Sequence, residues 1–188
     1  MKKKIVFFGS GKGSNIKNCI QYFTNNESIE INQVYLNNKH SELIPFLDQN
    51  EIPYTLFNRK EFQETDLVKN SLSEIKPDLI VLAGFLLLFP QDLITLFPNK
   101  IINLHPSLLP KYGGKGMYGS HVHEAVIANG EKTSGITFHY VNSEFDKGEI
   151  IEQHQCQVDS NDTIETLSSK IHQLEHLFLP KCIESILN

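Results

Sequence analysis

Near the N-terminus a four-residue apolar run, Ile5-Val6-Phe7-Phe8, stops at Gly9. It leads into Gly9-Ser10-Gly11-Lys12-Gly13-Ser14-Asn15, after which Ile16, Ile20 and Phe23 recur at helical spacing. A short unbroken apolar run is the pattern of a strand buried on both faces. Strand, glycine-rich turn and helix in direct succession restrict the chain to α/β architectures. The turn is also a ready anion site, because glycines let the backbone approach closely and free N–H groups at a helix start point at the ligand. Ser14 or Asn15 would supply an N-cap or a direct donor, and Lys12 adds charge. Neither G-x-x-x-x-G-K-[ST] nor G-x-G-x-x-G is present, since position 16 is Ile. A tight turn without a ligand would explain one or two glycines, but Gly9, Gly11 and Gly13 exceed what the turn requires.

The pattern continues in alternation. Ile31 to Leu36 reads as a strand, Ser41 to Gln49 as a helix, and Ile52 to Phe57 as a short strand that Pro53 assigns to a sheet edge. Lys60 to Ile75 reads as one helical stretch, with Arg59 at its start, either a solvated cation or a contact to a ligand carboxylate or carbonyl. Leu79 to Ala83 is the most apolar strand candidate and so the central one. The run Leu86-Leu87-Leu88-Phe89 that follows Gly84 is either core or an apolar wall for a flat ligand beyond a strand end, where ligands bind in open α/β sheets. Asp92 to Leu96, Ser120 to Ile127 and the stretch from Ile164 to Phe178 read as helices. The last is capped around Ser160 to Thr163 with Asp162 and Glu165 at capping-box spacing, and Pro180 is expected to kink or end it. Ser134 to Val141 and Ile150 to Val158 read as strands.

Length and composition fit one domain over residues 1–188 with a sizeable core; 40% of residues are hydrophobic. Lys and Arg number 17 against 22 Asp and Glu, a net charge of −5 with no basic block, which disfavours a nucleic-acid carrier. No run reaches the roughly 18 apolar residues of a membrane span. Cys19, Cys156 and Cys182 are scattered without C-x-x-C spacing, as expected of reduced thiols in a cytoplasmic protein rather than a disulfide framework or a zinc site.

The chemistry concentrates in Ile101-Ile102-Asn103-Leu104-His105-Pro106-Ser107-Leu108-Leu109-Pro110. In an extended backbone Asn103 and His105 point the same way, and Pro106 disfavours helix at His105. A carboxamide and an imidazole on a stiffened strand end suit stabilisation of a developing oxyanion, although one Asn and one His there can equally be structural. The glycine-rich stretch Gly113 to Gly119 reads as a loop joined to this strand. His121 and His123, two apart, do not share a helix face, so a metal pair is not expected, although one of them could line a pocket. Asp146 lies in a turn before Gly148 and could be no more than a cap. Glu175, beside the apolar stripe of the last helix, would ordinarily be solvated.

Together these stretches resemble the phosphoribosylglycinamide formyltransferases, folate-dependent enzymes of purine synthesis. The resemblance is carried by Ser10 to Asn15, Leu82-Ala83-Gly84-Phe85, Asn103 to Tyr112 and Phe145 to Ile151. It implies a Rossmann-like open, mostly parallel twisted sheet flanked by helices. By that likeness Asn103, His105 and Asp146 are catalytic, with Asp146 raising the His105 pKa so that an imidazolium donates to the oxyanion. The same likeness assigns Gly11, Lys12, Gly13, Ser14, Asn15 and Glu175 to phosphoribosylglycinamide. Arg59, Leu86, Leu87, Leu88, Phe89, Asn103, Val141 and Asn142 fall to 10-formyltetrahydrofolate as co-substrate. The implied partners are small molecules, with no metal, nucleic acid or membrane, and the implied assembly is a monomer or weak homodimer. Formyl transfer to methionyl-tRNA or an amino sugar nucleotide, or a non-catalytic phosphoribosyl-binding module, are the alternatives. Two features depart from the family pattern: Leu87 stands where a polar or basic residue is common, and the Gly113 to Gly119 loop is longer than in many members.

Overall fold

The computed structural model describes all 188 residues. In chain order the elements are β1 (Lys3–Gly9), α1 (Ser14–Phe23), β2 (Ile29–Leu36), α2 (Ile44–Gln49), β3 (Tyr54–Leu56), α3 (Arg59–Glu64) and α4 (Leu67–Ile75). They continue with β4 (Leu79–Ala83), α5 (Gln91–Leu96), β5 (Ile101–His105), α6 (Ser120–Ala128), β6 (Thr133–Tyr140), β7 (Ile150–Gln157) and α7 (Ile164–Leu187). One seven-stranded sheet runs in the order β3-β2-β1-β4-β5-β6-β7. The first five positions are parallel, and β6 and β7 pair antiparallel. The fold is therefore α/β, with the short Pro53-led strand at one edge and Leu79–Ala83 in the middle.

The alternation of β1 explains its unbroken apolarity. Ile5 and Phe7 pack on one face with Ile16, Ile20 and Phe23 of α1 and Leu167, Ile171 and Leu179 of α7. Val6 and Phe8 pack on the other with Val68, Leu72, Leu93 and an aromatic group of Tyr35, Phe57, Phe62 and Phe89. Strand order reverses between β1 and β4, the switch point at which parallel sheets open a crevice beyond their carboxyl ends. The turns after Gly9, Ala83 and His105 all leave from that end of the sheet.

Three local expectations are corrected. The stretch from Lys60 to Ile75 is two helices, because Thr65 is extended and its hydroxyl donates to the Glu61 carbonyl and accepts the Leu67 amide, competing with the helix ladder. The cap of α7 is Thr163, in a reciprocal box with Thr166; Asp162 instead accepts the Thr166 hydroxyl and binds Lys170. Pro180 does not end α7: Leu179, Cys182 and Ile183 around it are fully buried, and that packing outweighs a proline cost of about 3 kcal/mol.

Candidate active site

The turn after β1 places Gly13 as the N-cap of α1, at φ 77°. A Cβ there would lie 2.7 Å from Leu43 Cδ2 and 2.9 Å from Leu43 Cβ, so both the backbone angle and the space require glycine. Gly11, Lys12, Gly13, Ser14 and Asn15 line a cavity of about 530 Å³. Its opposite wall is one stripe of α7, Ile164, Ser168, His172 and Glu175, and its rim includes Tyr118, Gly119, Ser120 and His123. Asn15 Nδ2 donates to Glu175 Oε2 at 3.0 Å across the cavity floor, while Asn15 Oδ1 and His123 Nδ1 are buried without a partner. Burial pushes the Glu175 carboxyl up, with Asn15 and His172 pulling it back only in part. Burial likewise holds His123 down at about 4, as a neutral imidazole.

A second cleft of about 50 Å³ lies across the turn that follows β4. Leu82, Phe85, Leu87, Leu88, Phe89, Val141 and Phe145 form its apolar sides, and Asn103, His139, Asn142, Glu144 and Asp146 its polar rim. Leu86 lines the larger cavity instead. Arg59 opens α3 and lines neither cavity.

Between the two cavities the structure brings Asn103, His105 and Asp146 together. Asn103 Nδ2 stands 3.3 Å from Asp146 Oδ1, and His105 Nδ1 3.4 Å from the same oxygen. His139, which the sequence did not single out, is opposite Asn103 in the β5–β6 ladder, and its Nε2 is 3.1 Å from Asn103 Nδ2. Backbone carbonyls set both tautomers, since a carbonyl only accepts: His105 Nε2–H donates to Tyr112 at 2.8 Å, and His139 Nδ1–H donates to Tyr140 at 2.8 Å. His105 Nδ1 and His139 Nε2 are thereby left as the proton-accepting atoms.

Asp146 raises the His105 pKa as expected, but the expected net rise to a standing imidazolium is corrected. His105 is 3% exposed, and desolvation pulls it below its ordinary 6.5 more strongly than Asp146 and the Tyr112 carbonyl raise it. Burial pushes Asp146 up, but His139, His105 and the Gly114 amide overcome that and hold it below the usual carboxylate range. Gly114 N–H at 2.8 Å and Asn103 Nδ2 at 3.3 Å are neutral donors that add to the support of the carboxylate form.

Sequence reasoning missed His139, Ser168, His172 and Tyr118. Ser168, His172 and Glu175 follow Ile164 at helical spacing, which was a readable signal. The partner of His139 depends on a strand register that one sequence does not give.

Residues 3–183 match the family described as Formyl transferase. The chain belongs to that family. The chain is 38% identical over 192 residues to the chloroplastic phosphoribosylglycinamide formyltransferase of Vigna unguiculata, covering 98% of the chain and 61% of that protein. The chain thus spans about three fifths of that relative's length. It is 32% identical over 192 residues to the phosphoribosylglycinamide formyltransferase of Bacillus subtilis, covering 98% of the chain and 95% of that protein. The crystal structure of phosphoribosylglycinamide formyltransferase from Anaplasma phagocytophilum superposes with a TM-score of 0.89 at 34% identity, covering 100% of this chain and 87% of that one.

Proposed function

We propose that the protein transfers a formyl group from 10-formyltetrahydrofolate to the primary amine of 5′-phosphoribosylglycinamide. The observation that carries this is the position of the Asn103–His105–Asp146 cluster as a partition. Leu104 and Pro106 line the glycine-turn cavity, Asn103 and Asp146 line the apolar cleft, and His105 is buried between them. A donor in the cleft and an acceptor amine in the cavity would meet at those side chains.

The chemistry of each side fits. Backbone N–H groups at the start of α1, with Lys12, suit a phosphate. The unpartnered Asn15 Oδ1 and the buried Glu175 carboxyl, whose pKa burial pushes up, suit ribose hydroxyls. The apolar sides of the cleft suit a flat pterin, and the Glu144 and Asp146 carboxylates suit its N–H donors. Arg59 remains the candidate for a folate carboxylate.

Asn103 stabilises the oxygen that gains charge as the amine adds to the formyl carbon. One of its two amide hydrogens must turn from its present partners, His139 or Asp146, to do so. His105 Nδ1 takes the proton lost by the adding amine, Asp146 stabilises the imidazolium, and the same proton passes to the folate nitrogen as its bond to carbon breaks. A neutral resting His105 thus works as a shuttle rather than as a standing cation.

The reading extends to small-molecule partners, a monomer or weak homodimer, and a cytoplasmic location, which the three free cysteines suit. The test is release of tetrahydrofolate from 10-formyltetrahydrofolate on addition of phosphoribosylglycinamide. Release that requires the amine supports the reading. Equal release with water alone, or with an amino sugar nucleotide in its place, overturns it.

A further inference from the structure

The two substrate regions are joined by one side chain that faces neither cavity. The β1–β4 ladder ends at Phe8 opposite Leu82. Beyond it, Ser10 continues the connection twice: its backbone N–H donates to the Gly84 carbonyl at 3.1 Å, and its Oγ accepts the Leu86 amide at 3.0 Å. Ser10 immediately precedes the residues that line the larger cavity, Gly11 to Asn15. Leu86 lines that cavity too, while its neighbours Phe85, Leu87 and Leu88 line the cleft. The segment after β4 is therefore a wall shared by both regions, and the Ser10 hydroxyl fixes its middle residue to the glycine turn.

We propose that Ser10 is a positioning residue that couples the two substrates, so that a ligand on the glycine turn tightens binding in the cleft and the reverse. The claim rests on the formyl-transfer reading. A phosphate gathered by the N–H groups of residues 11–15 orders the turn. Through Ser10 Oγ that order fixes the backbone of Leu86, and so the side to which Leu87 and Leu88 project. The cleft encloses only about 50 Å³, well below an ordinary ligand pocket, so where this wall stands bears directly on what the cleft can hold. Linkage makes the effect reciprocal. The Leu86 amide is exposed, so water replaces the hydroxyl when it is removed, and the fold loses little.

The experiment is calorimetric titration of tetrahydrofolate, which carries no formyl group to transfer, with and without saturating phosphoribosylglycinamide. Wild type, Ser10→Ala and Ser10→Thr are compared. In wild type the second ligand is expected to lower the tetrahydrofolate Kd about fivefold, the low end of coupling between sites. In Ser10→Ala that ratio falls to about one while each separate Kd changes less than about twofold, and Ser10→Thr restores it, as expected if the hydroxyl acceptor is the coupling element. Ser10→Cys, similar in size but a weak acceptor, gives the same comparison if Ser10→Ala is unfolded at the assay temperature. A ratio of one in wild type, or a ratio kept in Ser10→Ala, overturns the Ser10 role alone. Failure of phosphoribosylglycinamide to bind wild type overturns the formyl-transfer reading and this proposal with it.

Discussion

The backbone amide of Gly114 donates to Asp146 Oδ2 at 2.8 Å, which fastens the mid-chain glycine loop to the carboxylate that faces His105. Gly113 makes the approach possible: a Cβ on it would fall 3.2 Å from Asp146 Cβ and against Leu109. Asp146 itself sits at φ 57°, a left-handed conformation that Asp tolerates better than most residues. The carboxylate thus has two separable tasks, closing the loop and presenting charge to an imidazole.

Asp146→Asn keeps an oxygen for Gly114 but removes the charge. Turnover is expected to fall about 10²–10⁴-fold, with the thermal midpoint near that of wild type at acid pH. The sign follows from the depressed pKa. An Asp held below its ordinary 3.8 contributes stability above that value and loses it as pH falls through the folded one. The gap in Tm between wild type and Asp146→Asn should therefore be widest above pH 4 and close below it. Asp146→Ala should widen the gap at every pH, because Gly114 then loses its partner as well. Scanning calorimetry across pH checks both statements; a pH-independent gap for Asp146→Asn would reject the charge role.

His105 titrates below 6.5 because it is buried, and Asp146 works against that shift. If neutral His105 is the working form, kcat falls at low pH with a midpoint below 6.5. Asp146→Asn removes the charge that raises the pKa, so its residual activity should show an acid limb at still lower pH. The stability term has the same sense: a depressed histidine contributes above its unfolded value and loses that contribution as pH falls toward the folded one. Nitrogen-detected imidazole spectra would place the titration directly. A midpoint above 7 would restore the standing imidazolium.

Much of this was legible in the residues. That Asn103 and His105 share one face needed only the two-residue period of a strand, but their reading as site residues came from the family likeness; the Gly9 to Asn15 turn needed only the helix start that follows it. Glu175 was placed by family likeness, since its own stretch argued for a solvated face; it is buried because α7 packs that stripe against the glycine turn. His139 and the direction of the His105 shift were not legible. The first depends on which residue of β6 lies opposite Asn103, the second on a contest between burial and one carboxylate that only packing decides. The side to which Leu86 turns was lost for a similar reason, since a run of three leucines carries no alternation.

Gly13→Ala tests the glycine turn. The added methyl meets Leu43 at 2.7 Å in a backbone conformation that L residues rarely adopt. A cost of about 1–3 kcal/mol is expected, read as a drop in Tm. If the same N–H groups gather the phosphate, as proposed, the KM for phosphoribosylglycinamide should rise while that for the folate changes less. An equal rise in both would mean that the turn serves the fold and not one substrate.

Phe8 is the point where core and cleft share an interaction. It is fully buried, stacks on Tyr35 at a centroid distance of 4.6 Å, and meets Phe85 at 5.3 Å and Phe89 at 5.2 Å edge-on. Phe85 and Phe89 in turn form the cleft walls. Phe8→Ala is expected to cost about 3–5 kcal/mol by transfer and cavity terms together. Phe8→Leu retains most of the volume and should cost about 1–1.5 kcal/mol, leaving a folded enzyme to assay. In that variant the cleft walls lose their edge-to-face support on one side only, so the folate KM should rise several-fold with the phosphoribosylglycinamide KM nearly unchanged. Initial-rate kinetics with each substrate varied in turn decide it. A stable Phe8→Leu enzyme with both constants at wild-type values would show that the aromatic group holds the sheet but not the cleft.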